Sequence, residues 1–228
     1  MTEQKHILGA FERALHQLKS DAQAMADGAA RNLRNATDGL LQGNESLCNQ
    51  AIVEDEAVDA LEKKIDHEGL ETIMKFSPVA TDLRLVISTM KMSTSLERIS
   101  DYAGSIAKRA RRLIKTEPLP ELKLINELHA RVQVLLTDAV TAFIQENLEL
   151  ALQIDRRDDD LGGLHAEALR TLTLEMEKNT ARIPDYLDLM SVVRFFKRTC
   201  DQARNIAEDA VYFISAYDIR HGGERPRQ

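Results

Sequence analysis

Apolar residues recur at three- and four-residue spacing along most of the chain, the pattern of amphipathic helices rather than of strands. Ile7, Phe11, Leu15, Leu18, Leu33 and Leu40 form one stripe and predict a helix from about Thr2 to about Gln42, broken by Gly43-Asn44. Ile52, Val58, Leu61 and Ile65 predict a second helix over about Glu45–Lys75, followed by a turn at Ser77-Pro78. A third helix reaches about Lys115, and Pro118 and Pro120 form the clearest linker. The fourth runs to about Glu146 and the fifth over about Leu148–Glu177, where Gly162-Gly163 is expected to distort it. A turn over Asn179–Pro184 precedes a sixth helix ending near Ala216, and the terminal HGGERPRQ reads as a disordered tail.

The order is three helices, a proline linker and three more helices, with short connections that favour antiparallel neighbours. Setting residue n against n+100 pairs Met90/Met190, Arg98/Arg198, Asp101/Asp201, Ala103/Ala203, Ile106/Ile206, Ala107/Ala207, Ala110/Ala210 and Ile114/Ile214. Shared Ala and Ile alone would be convergent bundle packing, but the repeated Arg and Asp point to an internal repeat. Ala103, Ala107 and Ala110 share one face and permit close helix approach. The expected fold is all-α: two tandem antiparallel three-helix bundles related by pseudo-symmetry, over residues 1–116 and 121–217, with 218–228 as the tail.

Composition agrees. Ten glycines and five prolines in 228 residues are too few for a strand-rich chain with frequent turns. A net charge of -7 argues against general nucleic-acid binding. Neither a secretory signal nor a run of apolar residues long enough to cross a bilayer is visible. Cys48 and Cys200 lie far apart without metal spacing, so a reducing cytoplasm is the simplest setting.

The strongest chemical candidate is Glu97-x-x-x-Asp101. Carboxylates at i and i+4 share a helix face and repel unless a cation intervenes, and hard ions such as Mg, Mn, Ca or Fe suit oxygen ligands. Asp55, Asp59, Glu62 and Asp66 form a second acidic stripe on the preceding helix, which an antiparallel hairpin would bring opposite. The spacing carries no weight by itself: five such acidic pairs occur where about six are expected from composition. Glu97 pairing with nearby basic residues is the plainer alternative. No Glu-x-x-His pair suits a di-iron bundle, and His67, beside the stripe, reads as a surface residue. Nucleophile elbow, P-loop and dinucleotide fingerprints are absent, which leaves a metal-dependent hydrolase unsupported. Lys108, Arg109, Arg111, Arg112 and Lys115 close the third helix, where they complement its dipole as a solvated end or form a surface for an anionic partner.

The segment 77-SPVATDLRLVISTMKMSTSLERISDYAGSIAKRA-110 resembles the first signature of the PhoU family, regulators of bacterial phosphate uptake. The stretch 55-DEAVDALEKKID-66 resembles the family's D-x-x-V-D-x-L-E pattern, and 184-PDYLDLMSVVRFFKRTCDQARNIAEDAVYF-213 resembles its second repeat. The resemblance implies a cytoplasmic, non-enzymatic adaptor, often a homodimer, that restrains the phosphate transporter ATPase subunit and the phosphate-sensing histidine kinase and meets the membrane only through these partners. Arg84 and the basic end of the third helix are the candidate partner contacts. Some members bind metal through an E/D-x-x-x-D motif in each repeat. Carried onto this chain, that places a divalent or iron-type ion in the first repeat, at Asp55, Asp59, Glu97 and Asp101. The second repeat departs from the pattern, with Lys197 at the position of Glu97 and Gly162 at that of Asp59, so Lys197 is expected to pair with Asp201. A metal-binding bundle with a storage or sensing role is the alternative function.

Overall fold

The computed structural model describes residues 2–220, and the side chains of 9–154 and 161–220. The order is α1 (Thr2–Gln42), α2 (Glu45–Val53), α3 (Asp55–Phe76), α4 (Ala80–Leu113), α5 (Leu122–Ile144), α6 (Leu148–Lys178), a short 3-10 turn (Thr180–Arg182) and α7 (Ile183–Ser215). No strand occurs among the described residues. The tail assigned to disorder lies mostly outside them.

The second expected helix is two helices. The backbone breaks at Glu54, whose carbonyl accepts from Ala57 N–H at 3.2 Å in a tight i,i+3 turn. Glu54 is anchored there by Gln50 Nε2 at 2.7 Å, its i,i+4 neighbour, and by Arg31 Nε from α1 at 2.9 Å, a partner that helical periodicity does not reveal. Conversely, α6 passes through Gly162-Gly163 without interruption, against the expected distortion.

The turn at Gly43-Asn44 works as its residues suggest. Gly43 takes a left-handed φ of 64°, and Asn44 caps α2 by accepting from Ser46 and Leu47 N–H. The matching turn in the second half puts Glu146 at φ 56° and uses Asn147 as the cap, accepting from Leu150 N–H.

Helices α1, α4, α5 and α7 form the centre, with α2–α3 flanking the first half and α6 the second. The core is dense with small residues: Ala103, Ala107 and Ala110 are fully enclosed, and their counterparts Ala203, Ala207 and Ala210 nearly so. That lets α4 and α7 run close and antiparallel, fixed by Arg84 Nε donating to Phe213 O at 3.1 Å near one end and Arg112 Nε to Asp188 Oδ2 at 2.8 Å near the other. Between these points Tyr102 and Phe195 meet at 5.8 Å, and the Arg109 guanidinium lies 4.9 Å above the Phe195 ring.

Candidate functional site: an acidic face on the first half

Helices α3 and α4 form the hairpin that the turn at Ser77-Pro78 predicts. Asp55 and Asp59 follow each other by one turn near the start of α3, and Glu97 and Asp101 do so in the middle of α4. The hairpin sets these two pairs opposite, with Glu62 joining from α3. The electrostatics register the crowding: the Glu97 carboxyl is pushed up to about 7, first by burial and then by the negative charges of Asp101, Glu62, Asp59 and Asp55.

Asp55 is held differently. Ser100 Oγ donates to Asp55 Oδ1 at 2.6 Å, and Asn32 Nδ2, from α1, donates to Ser100 Oγ at 3.0 Å. Burial raises the Asp55 pKa, the Ser100 hydrogen bond opposes it, Asp101 and Asp59 add to the rise, and Lys108 pulls it down. Ser100 and Asn32 are both fully enclosed. Neither is part of an acidic pattern, and on α4 Ser100 is one of several buried polar residues with Ser88, Thr89, Ser93 and Ser95, so nothing in the spacing singles it out.

The donor chemistry fits a hard cation, since every candidate ligand atom is a carboxylate oxygen. Among the described residues, however, no group of three or more His, Cys, Asp or Glu side chains is set to enclose an ion.

The second half carries other chemistry at the matching place. Lys197 Nζ lies 3.0 Å from Asp201 Oδ1.

The basic end of α4 is not simply solvated. Arg112 grips Asp188 with two nitrogens, Arg109 Nε approaches the same carboxylate at 3.9 Å, and Arg111 Nε lies 3.1 Å from Glu45 Oε1. These acids come from α7 and α2, which sequence distance had hidden. Arg84 is half-buried, and besides its bond to Phe213 O its Nη2 donates to Thr81 Oγ1 at 3.1 Å. His67 is exposed and lies 3.5 Å from Glu71. No helix among the described residues is long and apolar enough to cross a membrane.

The PhoU domain model matches twice, over residues 22–110 and 125–210, each match ending inside one of the two long central helices α4 and α7. The chain belongs to the PhoU family. It is 31% identical over 96% of its length to the phosphate-specific transport system accessory protein PhoU homolog of Pseudomonas putida, covering 86% of that protein. It is 28% identical to the corresponding Escherichia coli protein over 96% of this chain and 91% of the other. The crystal structure of PhoU from Pseudomonas aeruginosa superposes with a TM-score of 0.87 at 29% identity, covering 90% of this chain and 99% of that one. PhoU from Streptococcus pneumoniae shares the fold at TM-score 0.84 and 20% identity, over 92% of this chain and 99% of that one. The Pseudomonas putida and Escherichia coli relatives are both named as phosphate transport accessory proteins.

Proposed function

We propose that this chain is a cytoplasmic, non-catalytic regulator of phosphate uptake and phosphate-starvation signalling, binding the phosphate transporter ATPase subunit and the phosphate-sensing histidine kinase as a homodimer. The double PhoU-domain match over both halves carries the reading. An adaptor of this kind shifts a partner by binding one of its conformations more tightly than another, which a fixed binding shape favours. The four packed central helices supply that shape. Arg84, half-exposed near the start of α4, is the proposed partner contact. The test is affinity purification of the tagged protein from phosphate-replete cells, followed by sedimentation of the purified protein. Recovery of the ATPase subunit and the kinase supports the reading; recovery of neither overturns it.

A second reading concerns the acidic face, and the upward shift of Glu97 to about 7 favours it. A hydrated divalent or iron-type ion between Asp55/Asp59 and Glu97/Asp101 would cancel the repulsion of those carboxylates and tie α3 to α4. Such an ion would give the bundle a sensing or storage role alongside its adaptor role.

A further inference from the structure

The repeat keeps two charged residues at matching places on α4 and α7, Arg98/Arg198 and Asp101/Asp201. Asp201 is taken up by Lys197. Packing does not demand the arginines, because both are exposed and neither makes a hydrogen bond or ion pair among the described residues. Neighbouring places on the same stripe have diverged: Arg194 stands where Thr94 would match it, and Glu208 where Lys108 would. The apolar character of Ile87 and Leu187 also repeats, and these side chains remain 37% and 52% exposed. A single exposed leucine needs no explanation, but the same place left uncovered in both halves does.

These residues share one face. Ile87 and Arg98 lie about three turns apart along the same side of α4, as Leu187 and Arg198 do on α7. The contacts Arg84–Phe213, Lys91–Asp209, Tyr102–Phe195 and Arg112–Asp188 fix the register of the two helices. In that register Arg98 and Arg198 stand level at the centre, with Ile87 and Leu187 toward opposite ends. The face therefore repeats itself about a local two-fold axis that passes between the two arginines. The Arg198 guanidinium lies 5.9 Å from the Tyr102 ring centre and 5.6 Å from that of Phe195. Stacking of this kind holds a planar donor fork in place without using its nitrogens. Arg194, one turn before Arg198, is exposed and equally without an ion partner among the described residues. Like charges one turn apart repel, and a carboxylate from outside removes that cost.

We infer that this face of α4 and α7 docks a two-fold symmetric protein, whose two copies each bring a carboxylate to one of Arg98 and Arg198 and an apolar side chain to Ile87 or Leu187; this rests on the adaptor reading above. Charge selects the occupant. A second copy of this chain, meeting face to face, would set arginine against arginine. A nucleic acid is repelled by the net charge of -7. An acidic patch on a protein meets only the local cations, since charges beyond about 10 Å are screened by salt.

The test is titration calorimetry of the purified full chain against two purified probes, the transporter ATPase subunit and the cytoplasmic part of the sensor kinase, with thermal unfolding as the check on folding. Arg98→Gln and Arg198→Gln should each weaken binding of the same probe by about 10-fold or more, and the double variant by more than either. Arg98→Lys and Arg198→Lys keep the charge and should recover part of the loss. Lys123→Gln removes the same charge from α5 and should leave affinity unchanged. Sedimentation of the wild-type complex should give one chain to two copies of the probe. Wild-type affinity in both glutamine variants, loss in only one of them, or a complex with a single copy of the probe overturns the docking face and leaves the adaptor reading standing. A double variant that alters self-association while holding both probes as wild type does also overturns it. No binding of either probe by the wild type overturns both.

Discussion

Lys197 and Asp201 form an ion pair at 3.0 Å on the helix position where the first half sets Glu97 beside Asp101. The two halves therefore share a packing skeleton while one turn carries two carboxylates and its equivalent carries a neutral ion pair. An ammonium held at the site supplies the positive charge that a metal would otherwise bring. The outcome expected from this asymmetry is that Asp101→Asn lowers bound Mn²⁺ to background, whereas Asp201→Asn leaves it unchanged. Elemental analysis of the dialysed proteins reads this directly, and equal loss in both variants would contradict it.

Glu97 is expected to make stability depend on pH. Its folded-state pKa of about 7 lies above the ordinary value of 4.5. Between those values the folded chain binds more proton than the unfolded one, so this group's contribution to stability falls as pH rises through the window. Glu97→Gln removes that term. The variant should unfold at a higher temperature than wild type at pH 8, and the gap should close by pH 5. A gap that widens toward acid would show that Glu97 is stabilised as the anion.

The opposite sign applies to His129. It is buried between α1, α5 and α7, lies 5.9 Å from the Phe196 ring, and has its pKa lowered to about 4, mainly by burial. The unfolded chain takes up a proton near pH 6.5 that the folded one refuses, so stability is lost as pH falls from 6.5 toward 4. The full shift corresponds to about 3 kcal/mol. His129→Leu should flatten this part of the acid unfolding curve, read by circular dichroism at fixed temperature. An unchanged slope below pH 6.5 would assign the acid sensitivity to other groups.

Helical periodicity made the bundle legible because burial repeats with the helix turn, and the repeat at n+100 survived where packing demands Ala or Ile. Asp101 and Asp201 repeat without that demand, since neither is buried, and this is what marked an internal repeat rather than common bundle packing. What the sequence could not show depends on pairs distant along the chain: Arg31 holding Glu54 where α2 meets α3, Asp188 taking up the charge of Arg109 and Arg112, and Asn32 reaching Asp55 through Ser100. Side chains of that kind sit at ordinary helical positions, and only the packing of α1, α3, α4 and α7 brings them together. The acidic stripe was half legible: its spacing is common by chance, and its meaning comes from the hairpin that sets Asp55 and Asp59 opposite Glu97.

The fold makes two opposite backbone demands of small residues, at Gly39 and at Ala216. At Gly39 a Cβ would stand 2.5 Å from Cys48 Sγ, 3.0 Å from Asn44 O and 3.1 Å from Cys48 N. Two of these atoms are backbone and cannot swing aside, so α1 and α2 must separate to admit even a methyl group. Gly39→Ala should destabilise by about 1–3 kcal/mol, the usual cost of overpacking. Ala216 presents the reverse case. It ends α7 in the left-handed region at φ 63°, with its N–H donating to Tyr212 O at 2.9 Å. A Cβ in that conformation costs roughly 1 kcal/mol that glycine does not incur. Ala216→Gly should therefore raise stability by about 0.5–1 kcal/mol, less whatever entropy the more flexible unfolded chain recovers. Urea unfolding of both variants at pH 7 checks the pair. A destabilised Ala216→Gly would mean that the entropy of the unfolded chain outweighs relief of the left-handed cap.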